Sequence, residues 1–160
     1  MRTLDVVIAV VLVVLHLTVH VGFGVGAGAP DLFTLALLIL ARESHMAVAA
    51  AVGLALGLLE DSQGLLAFGA NGIAMAIVGA LGARTREFFV GESFLFITSY
   101  LFLGKWMRDA IHWVALGAEN RAEGFWTMVV DAGSGALYMT VAGLFLVVTT
   151  GVLRRPGGVR

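Results

Sequence analysis

Apolar residues in this chain come in long unbroken runs, not in alternation with polar ones, and that pattern leaves few folds open. A membrane barrel strand reads apolar and polar by turns, so the runs argue for helices over an outer-membrane barrel. Composition points the same way: of 160 residues, 59% are hydrophobic and 13% charged, whereas an ordinary soluble domain carries about a quarter charged residues. A bilayer core of roughly 30 Å takes about 20 helical residues per crossing. The length therefore allows six crossings with about a quarter of the chain left for turns. We expect an all-α polytopic membrane protein, a six-helix transmembrane bundle forming one integral domain over 1–160. A net charge of -1 offers no electrostatic footprint for nucleic acid. With no cysteine there is no disulfide framework, thiol nucleophile or thiolate metal site.

The runs place helices near 4–21, 30–41, 46–59, 65–83, 88–107 and 137–153. The first is followed by the Gly-rich stretch 22–29 and by Pro30. Arg2, the apolar run and Ala27-Gly28-Ala29 imitate a secretory signal, but Asp5 and two histidines interrupt the match. The second is short unless it begins near Phe23, in which case Pro30 kinks it; otherwise Pro30 opens a half-length helix. The third is short as well, so thinning of the bilayer or burial by neighbours must accommodate it. The fifth runs into Lys105, Trp106, Arg108, Asp109, His112 and Trp113, a mixture of charge and aromatics expected at an interface. The stretch 125–130 is expected to be an amphipathic lead-in lying on the membrane ahead of helix six.

With both ends on one side, Arg2, Arg42, Arg84, Arg86, Arg154, Arg155 and Arg160 fall together, against Lys105, Arg108 and Arg121. Seven against three predicts cytoplasmic termini by the positive-inside rule.

Few polar residues stand where chemistry would need them. His16 and His20, four apart, share a helical face as two metal-gripping imidazoles would, but no intervening Glu or third ligand accompanies them. Bonding to a neighbouring helix is the plainer role, and a proton relay the sharper one. Glu60 and Asp61 are adjacent, yet neighbours in sequence point to different sides of a helix. A polar turn fits them better than paired acid-base work, with Asp61 capping the amides that open the next helix. Asp131 lies in an apolar run, where a charge marks a function or a buried partner. Alternatively it precedes helix six in the wet interface, since Gly133, Ser134 and Gly135 follow it. Small residues recur at four-residue steps, at Ala47, Ala51 and Ala55, at Gly53 and Gly57, and at Ala132, Ala136 and Thr140. Such faces let helices approach closely in lipid, and internal packing is their expected use. No Walker loop, nucleophile elbow or dinucleotide fingerprint occurs, and no cofactor or metal is called for.

The helix opening at Pro30-Asp31-Leu32, the charged turn at Arg42 and the glycine-rich helix closing with Gly57-Leu58-Leu59-Glu60-Asp61 resemble the bacterial rod shape-determining MreD family. Phe68-Gly69-Ala70-Asn71-Gly72, then a small-residue helix to Gly79 and Arg84, continues the likeness; beyond Arg84 it is one of length and hydropathy. The resemblance implies a non-catalytic scaffold in the inner membrane that binds MreC. It would work beside the glycosyltransferase RodA and its penicillin-binding transpeptidase in lateral wall synthesis and cell shape, with membrane lipid around it. Pro30, Asp31, Gly53, Gly57, Glu60, Asp61, Gly69 and Asn71 would carry partner binding or the structural motif. The family is similar in fold to the substrate-binding subunits of energy-coupling-factor vitamin transporters, which makes that class the rival. Those subunits dock their coupling partner through small residues, commonly on the first helix, whereas helix one here is rich in Val and Leu.

Overall fold

A computed structural model of the chain describes residues 3–22, 30–63, 68–85, 93–117, 121 and 124–152, with only the backbone described at 20–22. The described residues form an all-α bundle of six helices: α1 Thr3–His16, α2 Leu32–Glu43, α3 Met46–Asp61, α4 Ala70–Thr85, α5 Phe94–Ala115 and α6 Phe125–Thr150. A π-helical turn, Leu17–Gly22, continues α1.

The central element is α2. Its residues from Leu32 to Ile39 are all buried, as are Ala41 and Arg42, and it touches every other helix. A helix that is apolar all round belongs in such a position, because no face of it is left for solvent. Around it, helices adjacent in sequence are adjacent in space: α1 with α2, α3 with α4, and α5 with α6.

The α3–α4 contact is backbone against backbone. A Cβ added at Gly53 would lie 2.2 Å from the Met75 carbonyl oxygen, and one at Gly57 would lie 2.4 Å from that of Asn71. From the other side, a Cβ on Gly79 would meet the Ala49 oxygen at 2.4 Å. Ala49, Gly53 and Gly57 thus form the buried four-step row, and the bare Cα of Gly53 and Gly57, with Gly79 facing Ala49, is what lets the helix axes close up. The neighbouring row of Ala47, Ala51 and Ala55 faces outward.

Several expected boundaries move. Pro30 neither kinks α2 nor opens it: Asp31 is the N-cap, its carboxylate accepting from the amide of Thr34 at 2.9 Å and the hydroxyl at 2.7 Å, so Pro30 stands outside the helix. Residues 23–29 lie outside the described residues, as do 64–67 and 86–92. Instead of starting at 65, α4 begins at Ala70, because Gly69 takes a left-handed turn at φ 101° that a helix cannot contain.

The largest corrections concern the last two helices. Rather than stopping near 107, α5 continues to Ala115, where Gly117 turns left-handed at φ 73°. Arg121 closes this end: its Nε and Nη2 each donate at 3.0 Å, to the carbonyls of Trp113 and Val114, and its guanidinium lies 4.1 Å from the Trp113 ring centroid. The 125–130 segment is no separate interfacial lead-in but the first turns of α6, a single helix of 26 residues. Gly133 and Gly135 do not break it, since Ala132, Ala136, Met139 and Thr140 are buried along one face and α6 packs on α5. Asp131 is therefore inside the helix, exposed on its outer side, and neither buried nor ahead of the helix.

Among the described residues, α6 is the one helix long and apolar enough to cross a membrane by length and composition. Outward-facing positions elsewhere are also large and apolar, including Val7, Val10, Val11 and Val14 on α1 and Ile73, Ile77 and Leu81 on α4.

Candidate functional site

Where α2 begins, α3 ends and α4 begins, polar side chains from four helices meet. Asp61, the last residue of α3, is buried, and its Oδ2 accepts from the amides of Gly69 at 2.9 Å and Gly72 at 3.1 Å, while Oδ1 accepts from that of Asn71 at 3.2 Å. The first amides of a helix have no partner within it. One carboxylate carried by the preceding helix supplies the acceptors and also meets the positive end of the α4 dipole. The Gly69-Ala70-Asn71 sequence is shaped to fit: Gly69 makes the left-handed turn at φ 101°, and Gly72 leaves room for the Leu58 side chain, which a Cβ there would meet at 3.1 Å.

Glu60, one residue earlier, points elsewhere. Its Oε1 accepts from Nη2 of Arg108 on α5, and the same nitrogen donates to Asn71 Oδ1 at 2.6 Å. Arg108 Nη1 donates to Asp109 Oδ1 at 2.9 Å, and Lys105 Nζ donates to Asp109 Oδ2 at 2.7 Å. Lys105 also stands 3.2 Å from Asp31 Oδ2. Asp31, Glu60 and Asp109 thus surround Lys105 and Arg108, whose side chains are only 10% and 9% exposed. Charges so poorly hydrated persist only when paired, and here each carboxylate has a cation or a set of amides.

Lys105 and Arg108, expected with the aromatics at a membrane interface, are buried within the bundle and paired with acids. They continue the buried stripe of Ile97, Tyr100 and Leu101, which recurs at three- and four-residue steps. That spacing was the available signal: two cations on the core stripe of an apolar helix require acids from other helices, and Asp31 and Glu60 are those acids.

Of the other candidates, Gly53 and Gly57 serve α3–α4 packing and stand apart from the charges. His16 is buried with its ring stacked on Phe33 of α2, centroids 4.0 Å apart and planes 19° from parallel. His20 lies in the π-helical turn, so a regular four-residue register with His16 is not kept; its side chain is outside the described residues. Asp131 is not part of the cluster.

As built, the cluster ties four helices together. Three of its buried atoms, Glu60 Oε2, Arg108 Nε and His112 Nδ1, have no hydrogen-bond partner among the described residues. His112 stands one helical turn beyond Arg108 on α5.

Asp61→Ala is expected to lower stability by about 2 kcal/mol, the upper end of the range for losing a cap, because three amides lose their acceptor together. Thermal unfolding in detergent measures it, and an unchanged midpoint would show the cap to be dispensable.

No protein-family model matches the chain, and neither a curated protein nor a solved structure matches it.

Proposed function

We propose that this chain is a non-catalytic, multi-pass scaffold subunit of the inner-membrane machinery that elongates rod-shaped bacteria, binding MreC and supporting lateral wall synthesis by RodA and its transpeptidase. The observation that carries the reading is how the residues of the resemblance are used. Asp31, Glu60, Asp61, Gly69 and Asn71 converge at one end of the bundle, where the carboxylates cap helices or hold cations. Gly53 and Gly57 are consumed in helix contact. Side chains committed in this way make a rigid support for other helices. The apolar outer positions of α1, α4 and α6 suit a lipid environment.

A second reading, a substrate-binding subunit of an energy-coupling-factor transporter, is favoured by one observation. The unpartnered Glu60 Oε2, Arg108 Nε and His112 Nδ1 would be satisfied by a small polar ligand entering from that end.

Purification from the native membrane in mild detergent, with mass spectrometry of what accompanies the chain, separates the two. MreC and the wall synthases are expected; an ATP-hydrolysing coupling module in their place would overturn the scaffold. Reporter fusions are expected to place both termini in the cytoplasm, following the basic residues. A periplasmic terminus would require an odd number of crossings.

A further inference from the structure

The charge cluster does not balance. Among the described residues it brings four carboxylates, Asp31, Glu60, Asp61 and Asp109, to two cations, Lys105 and Arg108. Helix ends offset part of the excess: Asp61 lies on the amides that open α4 and Asp31 on the amide of Thr34 in α2, each facing a dipole worth about half a charge. About one negative charge is left uncompensated. Arg121 does not answer it, since its guanidinium is spent on the carbonyls of Trp113 and Val114. The neighbouring stretches 64–67, 118–120 and 122–123 contain no Lys or Arg.

The four acids are unequally held. Asp61 accepts from three amides, Asp31 is held by the amide and hydroxyl of Thr34 and by Lys105, and Asp109 by both cations. Glu60 has one donor, Arg108 Nη2, and shares it with Asn71; its Oε2 is buried and bonds nothing. Nor does Arg108 close the pair from its side. Its side chain is 9% exposed and its Nε is likewise buried and unbonded, so the guanidinium meets Glu60 through one nitrogen. The two-bond fork that best holds a carboxylate ionised is not formed. An unbonded charged oxygen costs more out of water than an unbonded neutral hydroxyl. The least supported acid is therefore where the excess charge is most cheaply removed.

We propose that the cluster is a proton-binding site, taking one proton from solvent onto Glu60 Oε2 as the pH falls from about 8 to about 5. The groups around it are Asp31 from α2, Asp61 beside it on α3, Asn71 from α4, and Lys105, Arg108 and Asp109 from α5, with His112 one turn beyond Arg108. Once Glu60 is neutral, Arg108 keeps Asp109 and Asn71, and the ionic tie between α3 and α5 becomes a weaker neutral bond. An ordinary glutamate accepts its proton only near about pH 4.3. The folded chain thus holds a proton that the unfolded chain lacks, so this contribution to stability is present at about pH 5 and lost as the pH rises to about 8. The inference depends neither on MreC nor on the wall machinery.

The test is thermal unfolding in detergent of the full chain and of Glu60→Gln, whose amide imitates the protonated carboxyl, at steps from about pH 5 to about pH 8. His112 and the other histidines titrate across the same range in both proteins, so the difference between the two is the reading. Equal midpoints are expected at the acid end. At the alkaline end Glu60→Gln is expected to melt higher, by about 4 °C for a tenfold preference of the folded chain for the proton. Infrared difference spectra should show the carbonyl stretch of a protonated carboxyl appearing on acidification of the unaltered chain and missing from Glu60→Gln. A Glu60→Gln chain less stable by the same amount at every pH, or one that does not fold, would show that the ionised carboxylate is required and would overturn the proposal. A carbonyl band that persists in Glu60→Gln would place the proton on another acid and overturn it as well. So would a small molecule retained through purification on which the pH response depends, since the unbonded atoms would then belong to a ligand.

Discussion

Gly57→Leu is expected to abolish most of the folded protein. The Cβ alone would stand 2.4 Å from the Asn71 carbonyl oxygen and 2.6 Å from the Gly72 Cα, both backbone atoms at the start of α4. Overpacking typically costs about 1 to 3 kcal/mol when neighbouring side chains can move aside. Here relief requires moving a whole helix whose first turn is held by Asp61, so the effect should reach or exceed the top of that range. Ala55→Leu, a substitution of similar bulk at an exposed position of the same helix, is the control and should leave yield and unfolding midpoint nearly unchanged. Size-exclusion profiles and thermal unfolding of the two variants decide it. A well-expressed, monodisperse Gly57→Leu protein that had lost only its partner would mean that this face docks another chain and that the α3–α4 contact is misassigned.

Arg108→Met is the second large effect. Removing one member of a buried ion pair leaves an uncompensated charge and typically costs about 3 to 5 kcal/mol. Arg108 serves Glu60, Asn71 and Asp109, so its loss strands a carboxylate on α3 and an amide oxygen on α4. The Glu60 side chain is 23% exposed, which places the expected loss toward the lower end of that range. Adding Glu60→Met to Arg108→Met should recover a large part of the loss, since the stranded charge is then gone. A double variant no more stable than the single one would show that packing, not charge, is what Arg108 contributes.

The sequence carried the α3–α4 hairpin almost completely. Its glycines at four-residue steps and the acid placed just before a Gly-x-Asn turn each have one simple structural use, and both uses are local in the chain. What was not legible depends on contacts distant in sequence. The burial and pairing of Lys105 and Arg108 emerge only when Asp31, 74 positions from Lys105, and Glu60, 48 from Arg108, are brought beside them. Likewise Gly133-Ser134-Gly135 looks like a break by helix propensity. The α5 surface against Ala132 and Ala136 outweighs that propensity and carries α6 straight through.

The helices are of unequal reach, and this has a mechanical consequence in a bilayer. At about 1.5 Å per residue, α3 and α4, 16 residues each, are about 24 Å long, whereas α5 and α6, 22 and 26 residues, are about 33 and 39 Å. Against a hydrocarbon core of roughly 30 Å, the α3–α4 flank is short and the α5–α6 flank is long. On the proposed membrane location, lipid would pinch inward on one side and stand at full height on the other. Each ångström of such mismatch costs a fraction of a kcal/mol, and the strained annulus beside α3 and α4 relaxes when a protein segment of similarly short span displaces it. On the proposed membrane location, the bundle would exert a one-sided, lipid-borne attraction on short membrane helices, drawing them to its α3–α4 flank before any side chain touches.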